Sequence, residues 1–515
     1  MNNDLEKTAV YSEYPVKESN VSVRSYDVGD IDPNEAPATG FSGKFNKMMN
    51  KLNAEIRGIE RIPEEEQTDV SMWNTASMFF GCNMVVATVS LGCLGITVFG
   101  LDFWSAFLTI VFFNLLGTLP VAFFSTFGPY FGLRQMVLSR FWFGAYTVKV
   151  PAFINLVACV GWTAVNTIVS AQLLHTVNDG ALPPWAGVLI ISAITFVVTF
   201  FGYHVVHQFE KWSWIPNVII FLIMAIRMGK SKQFTYGTMV GGETTAGNVL
   251  SFGATVYGFA TGWTSLASDY TAYKPKNTSR TKIFFAVYGG LNAPLMIAMI
   301  LGAAMAMGTV KNPAWAEAYD SNSIGGLFFM VLVEDSLHGF GQFCVVLLAL
   351  STVSNNTPNL YSLGLTAQTF WESLRKVPRA IWTMVGTGVA IAIAIPAYYK
   401  FESVMHNFMN LIGYWLAIYT AISISEHFIY RKGFKGYNPD DYEKPEKLPP
   451  GIAAGVAFAC GAAGTALGMA QVWWTGPLAK PIGKYGGDIG FELAFGFSLV
   501  AFNILRPFEY KYFGR

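Results

Sequence analysis

The sequence predicts an all-α membrane protein of twelve transmembrane helices. Three observations carry that prediction. Of 515 residues, 52% are hydrophobic and only 13% are charged, whereas an average soluble chain has about 25% charged residues; so large an apolar surplus requires lipid. A bilayer core of about 30 Å takes roughly 20 apolar residues per helix. Twelve such stretches occur, near 73-100, 103-127, 150-175, 184-203, 212-228, 249-272, 283-307, 338-372, 378-397, 404-430, 449-472 and 486-506. Finally, twelve spans put both termini on one side. All 34 Lys and Arg then fall on that side except Arg227, Lys230, Lys232, Lys311, Lys400, Lys480 and Lys484, and an excess of basic loop residues marks the cytoplasm.

In chain order, residues 1-70 are a polar tail rich in Glu, Ser and Asn, without the apolar core of a cleavable signal, and read as disordered and cytoplasmic. The first span then serves as the targeting signal. Residues 71-430 hold ten spans, joined in part by the loop 128-150, whose Arg134, Arg140 and Lys149 face the cytoplasm. Segments 88-95 (Thr-Val-Ser-Leu-Gly-Cys-Leu-Gly) and 258-269 (Gly-Phe-Ala-Thr-Gly-Trp-Thr-Ser-Leu-Ala-Ser-Asp) put Gly, Ser and Thr in mid-membrane. They occupy matching positions, spans one and six, of two five-helix halves, and paired interruptions of this kind point to the binding site of an inverted-repeat transporter. Residues 431-448 form a cytoplasmic loop, and 449-515 supply two accessory spans and a short cytoplasmic C-terminus.

Polar side chains inside apolar spans are the candidate functional residues, because in hydrocarbon such groups face a cavity or another helix. In the third span Trp162 and Asn166, four residues apart, share a helical face, with Gln172 farther along. An interhelical hydrogen bond would explain Asn166 equally well. In the eighth span Asn355-Asn356-Thr357-Pro358-Asn359 is the densest polar cluster. Asn355 and Asn359 lie on one face, and Pro358, lacking an N–H, frees the carbonyl of Ser354 and marks a helix kink. In the sixth span Trp263 and Thr264 follow Gly262, with Asp269 below them. His204, His207 and Glu210 recur every three residues, but beside Lys211, Trp212 and Trp214 they read as an interfacial belt, not a metal site.

Several function classes are excluded. A net charge of +1 without a basic face argues against nucleic acid. Cys82, Cys93, Cys159, Cys344 and Cys460 all lie in apolar spans without paired spacing, so neither a disulfide framework nor zinc is expected. No phosphate loop or nucleophile elbow suggests an enzyme, and neither a metal nor an organic cofactor is called for. A receptor or structural protein would not need Trp, Asn and Thr converging on paired helix breaks.

Trp faces, amides and hydroxyls suit a flat, neutral, hydrogen-bonding heterocycle, since stacking and bidentate amide contacts are each worth about 1–3 kcal/mol. An amino acid carboxylate held by helix N-termini near Gly92, Gly95 or Gly258 is the alternative. From about Leu52 to Arg515 the chain resembles the fungal purine-cytosine permeases of the nucleobase:cation symporter-1 family. The resemblance rests on Asn74-Thr75-Ala76-Ser77-Met78, Gly132-Leu133-Arg134-Gln135-Met136, Ala158-Cys159-Val160-Gly161-Trp162, Glu210-Lys211-Trp212-Ser213-Trp214, Gly262-Trp263-Thr264, Asn355-Asn356-Thr357-Pro358-Asn359 and Lys511-Tyr512-Phe513-Gly514-Arg515.

The resemblance implies a LeuT-like five-plus-five inverted repeat in the plasma membrane, importing cytosine, adenine, guanine and hypoxanthine together with protons. It places substrate contacts at Thr88, Trp162, Asn166, Trp263, Thr264, Asn355 and Asn359. Where some relatives carry a second aromatic beside the span-six tryptophan, this chain has Thr264. Coupling to protons needs a titratable group whose charge is costly in a closed site, and Glu210 and Asp269 are the candidates. A vitamin-like pyridine or pyrimidine, or a hydantoin, would suit the same scaffold.

Overall fold

Without water, each backbone N–H in a bilayer must find its acceptor within its own segment, so the apolar runs become helices. The computed structural model describes residues 58-515 apart from 178-179, 201-202, 372-373 and 375-376, and the side chains of 203-211 and 335 also lie outside the description. The first predicted span is the pair α1 (Met72–Asn83) and α2 (Val86–Thr97), bent by 53°. Next come α3 (Phe103–Ser125), α4 (Lys149–Val177), α5 (Pro184–Phe200) and α6 (Tyr203–Ser231). The sixth predicted span is α7 (Glu243–Thr261), continued by a 3-10 helix over Gly262–Tyr270. It is followed by α8 (Arg280–Lys311), α9 (Pro313–Leu332), α10 (His338–Phe370), α11 (Arg379–Ala397) and α12 (Phe401–Ser425). Last are α13 (Ile452–Gly468) and α14 (Gly490–Phe513), joined through a hairpin that pairs Ala470–Gln471 with Trp474–Thr475. The helix α9 corresponds to no predicted span.

Among the described residues, six helical stretches are long and apolar enough to cross a membrane, or seven with the bent α1–α2 pair. One of them, Arg379–Tyr430, has 52 residues. At about 1.5 Å per residue it is more than twice as long as the roughly 30 Å core is thick, and it contains both α11 and α12. The polar run at 355-359 keeps α10 out of that set.

Span one breaks at Met84–Val85, upstream of the 88-95 segment that the sequence suggested. Val85 is extended (φ −132, ψ 161), and helix resumes at Val86 and runs through Thr97. The glycines of 88-95 instead allow backbone contact, as small residues do between membrane helices. A Cβ at Gly92 would stand 1.9 Å from the Met299 carbonyl oxygen of α8, and one at Gly302 of α8 would stand 1.9 Å from that of Val89. Gly92→Leu is therefore expected to push α2 off α8, at a cost of about 1–3 kcal/mol or more for overpacking. The check is the melting temperature of the detergent-solubilised protein, and an unchanged midpoint would contradict the contact.

Residues 58-71 cross one end of the bundle. Ile62 N donates to Gly132 O (2.8 Å), and Gln67 Nε2 donates to Pro129 O (3.1 Å) and Ala272 O (2.9 Å). The Lys274 ammonium, fully buried, donates to Asp69 Oδ2 (3.0 Å) and Ser71 O (2.8 Å). Burial pulls its pKa below the ordinary lysine value, and the adjacent Asp69 carboxylate opposes that pull. At the same end Arg506 of α14 clasps Glu426 through two hydrogen bonds (2.8 and 2.9 Å), so these buried charges are paired.

Candidate functional site

A helix that stops in mid-membrane leaves its last carbonyls without partners. At the span-one break those carbonyls are taken by two of the predicted site residues. Asn355 Nδ2 of α10 donates to Cys82 O (2.5 Å), and Thr88 Oγ1 donates to Asn83 O (2.7 Å). Asn83 itself folds back, Nδ2 donating to Phe79 O (2.8 Å), while its Oδ1 accepts from the indole N–H of Trp263 (3.1 Å). The breaks of spans one and six thus meet through one side chain. Trp263 also has Phe79 and Tyr270 in T-shaped contact, with ring centroids 5.7 and 6.4 Å away.

The sixth span changes from α to 3-10 at Gly262, inside the segment read as breakable. A Cβ there would lie 2.7 Å from Cζ2 of Trp162, so only glycine lets the Trp162 indole rest against span six. Phe259 and Phe408 meet Trp162 in T-shaped contacts, with centroids 5.1 and 5.8 Å away. Thr264 is fully buried and pairs its hydroxyl with that of Thr261 (3.0 Å).

One turn from Trp162, the Asn166 amide is divided in its use. Nδ2 donates to both Asn355 Oδ1 (2.7 Å) and Asn356 Oδ1 (2.9 Å), bridging α4 to α10. Its carbonyl Oδ1 is buried and has no hydrogen-bond partner among the described residues. Asn356 is held further by Thr167 Oγ1 (3.2 Å), and Asn359 Nδ2 donates to Asn355 O (2.8 Å). The helix runs through Pro358 without interruption. Thus Asn166 meets Asn355 and Asn356 one turn from Trp162, Trp263 is tied to span one through Asn83, and the Asn359 amide bonds within α10. Asn355 spends both halves of its amide on protein, whereas Asn166 keeps an acceptor free.

Asp269 sits apart from these amides in a second buried network. Its Oδ1 accepts from Gln135 N (2.7 Å) and its Oδ2 from Ser362 Oγ (2.8 Å), while Arg134 Nη1 donates to its backbone oxygen (2.7 Å). Arg134 Nη2 reaches the hydroxyls of Tyr273 (3.1 Å) and Tyr361 (3.0 Å), and Gln135 Nε2 reaches that of Tyr419 (2.8 Å). The loop after α3, span six, α10 and α12 are therefore locked together. Arg134, read from sequence as a loop charge, is buried. Glu210 lies in α6 with its side chain outside the described residues, as do His204 and His207. Among the described residues no group of three or more His, Cys, Asp or Glu could hold a metal.

Sequence reading passed over Asn83, Gln135 and Ser362. Asn83, an amide within an apolar span, carried the same signal as Asn166. Gln135 lay in the Gly132–Met136 segment noted for its resemblance, with no role attached.

A family model for permeases of cytosine/purines, uracil, thiamine and allantoin matches residues 61-490. The chain is 54% identical over 472 residues to the purine-cytosine permease FCY21 of Saccharomyces cerevisiae, covering 92% of this chain and 89% of that one. It is 52% identical over 473 residues to the purine-cytosine permease fcyB of Emericella nidulans, covering 92% of each. Among solved structures it is similar to Mhp1, a nucleobase-cation-symport-1 family transporter, in a closed conformation with bromovinylhydantoin bound. The TM-score is 0.65 at 18% identity, over 89% of this chain and 95% of Mhp1, which shows a shared fold. With its matched region extending over most of its length, the chain belongs to this family of cytosine/purine, uracil, thiamine and allantoin permeases, which are membrane transporters and not enzymes.

Proposed function

We propose that the protein is a proton-coupled symporter that imports cytosine and the purines adenine, guanine and hypoxanthine across the plasma membrane by alternating access. In this reading it has twelve spans, the first ten an inverted repeat, with both termini cytoplasmic. The fungal relatives, named for purines and cytosine, support the cargo. The single observation that carries it is the buried Oδ1 of Asn166, without a partner among the described residues, one turn from the Trp162 indole. An orphaned buried acceptor costs about 1–3 kcal/mol. An N–H on the edge of a base stacked against Trp162 or Trp263 would satisfy it, and a hydrocarbon or an anion would not. Asn359 reads the same edge, and Thr88, Thr264 and Asn355 shape the site.

Proton coupling falls to Asp269 or Glu210. Both oxygens of Asp269 accept hydrogen bonds, from Gln135 N and Ser362 Oγ. A proton on Oδ2 turns that oxygen into a donor, so Ser362 Oγ must accept where it now donates, which alters the lock between the loop after α3 and α10. The test is uptake of radiolabelled cytosine and adenine at acidic and neutral pH in cells lacking their own nucleobase carriers. Uptake of both, stronger in acid and abolished by a protonophore, is expected. No uptake by protein that reaches the surface would sink the cargo. Loss of the pH dependence in Asp269→Asn but not Glu210→Gln assigns the coupling to Asp269, the reverse assigns it to Glu210, and dependence kept in both variants excludes both.

A further inference from the structure

We infer that Asn83 is a positioning residue for transport, holding the Trp263 indole in its stacking plane and tying that plane to the hinge of span one. The inference rests on the nucleobase reading above and adds to it a residue that touches no substrate.

Three features of Asn83 combine. It is the last residue of α1, next to the Met84–Val85 break where the span bends by 53°. Its side chain is wholly buried, and its Nδ2 is fixed by the carbonyl four residues back, Phe79 O (2.8 Å), which leaves Oδ1 aimed away from α1. That oxygen accepts from Trp263 Nε1 (3.1 Å), 180 residues along the chain. An indole has a single N–H donor and no acceptor. With Phe79 and Tyr270 both in T-shaped contact, this hydrogen bond selects among the indole orientations that packing alone would permit.

The arrangement also gives the bond a direction of influence. The Asn83 carbonyl accepts from Thr88 Oγ1 (2.7 Å), across the break. A change in the bend between α1 and α2 therefore moves Asn83, and with it the acceptor that orients Trp263. The stacking surface is set by the angle of span one, so affinity for a flat ligand follows the conformation of the hinge.

The test is cytosine uptake kinetics, with Vmax expressed per transporter at the cell surface. Asn83→Ala should raise KM about tenfold, which is about 1.4 kcal/mol, with Vmax per transporter kept. Asn83→Ser, which retains a short acceptor, should show a smaller rise. In a Trp263→Phe background, where no N–H exists to hold, adding Asn83→Ala should change KM less than twofold. KM within twofold of wild type in both Asn83 variants would overturn the assignment, as would an equal rise in both backgrounds. Fewer transporters at the surface with wild-type KM would give Asn83 a role in folding only. If the unmutated protein takes up neither cytosine nor adenine, the nucleobase reading itself has failed. That result is seen before any variant is made.

Discussion

Asn166→Leu is expected to reduce cytosine uptake per surface transporter by about 5-fold to over 100-fold, and to lower stability as well. The substitution removes the amide that bridges α4 and α10, so Asn355 Oδ1 and Asn356 Oδ1 both lose their shared donor. A buried acceptor left unpaired costs about 1–3 kcal/mol. The contact proposed for Asn166 Oδ1 with the base is lost as well, at about another 1–3 kcal/mol of discrimination. Asn166→Asp separates the two effects. It keeps an acceptor for the base but sets a carboxylate against two amide oxygens, so it should lose stability more than affinity, whereas Asn359→Ala, whose amide donates one bond within its own helix, should lose affinity with little change in melting temperature. Saturation kinetics and thermal melting on the same preparations decide the matter. Wild-type KM in Asn166→Leu would remove Asn166 from the site.

Arg134→Met is expected to lower stability by about 3–5 kcal/mol, because it leaves the buried Asp269 carboxylate without the nearby positive charge that acts on it. The guanidinium binds the Asp269 backbone and two tyrosine hydroxyls, and its ring contacts to Tyr273 and Tyr361 measure 5.2 and 5.6 Å. Lysine should not rescue it, because a single ammonium cannot reproduce the planar fork. Removing the stranded charge as well, in Arg134→Met with Asp269→Asn, should recover part of the loss. A double variant no better than the sum of its parts would show that the two residues act independently. The readout is the thermal midpoint of the purified protein.

Much of this architecture is legible in the sequence because lipid imposes a simple rule on long segments. The apolar runs and the helices agree to within a few residues for most spans, and amides or tryptophans interrupting those runs singled out Asn166, Asn355, Trp162 and Trp263, all of which are buried. The span-one break was misplaced because glycine was taken as its signal. Nothing local requires the chain to open at Met84–Val85. The carbonyl of Cys82 freed there is taken by Asn355, some 270 residues away, and a distant partner leaves no local pattern. Arg134 misled for a related reason. Its charge is at home in a loop until Asp269, Tyr273 and Tyr361 close around it. The helix α9 escaped notice because Glu317, Asp320 and Asn322 make its first half too polar to read as a span.

The contact of Gly92 with Met299 and of Gly302 with Val89 constrains motion as well as packing. Two helices whose backbones interlock at a pair of notches can neither slide nor roll without lifting apart, so α2 and α8 have one set of rigid-body coordinates between them. Whatever rearrangement exchanges the two faces of the site must carry them as a single lever. Spin labels placed on this pair should report one narrow distance distribution in every state, making it a fixed frame against which the displacement of the other helices can be measured.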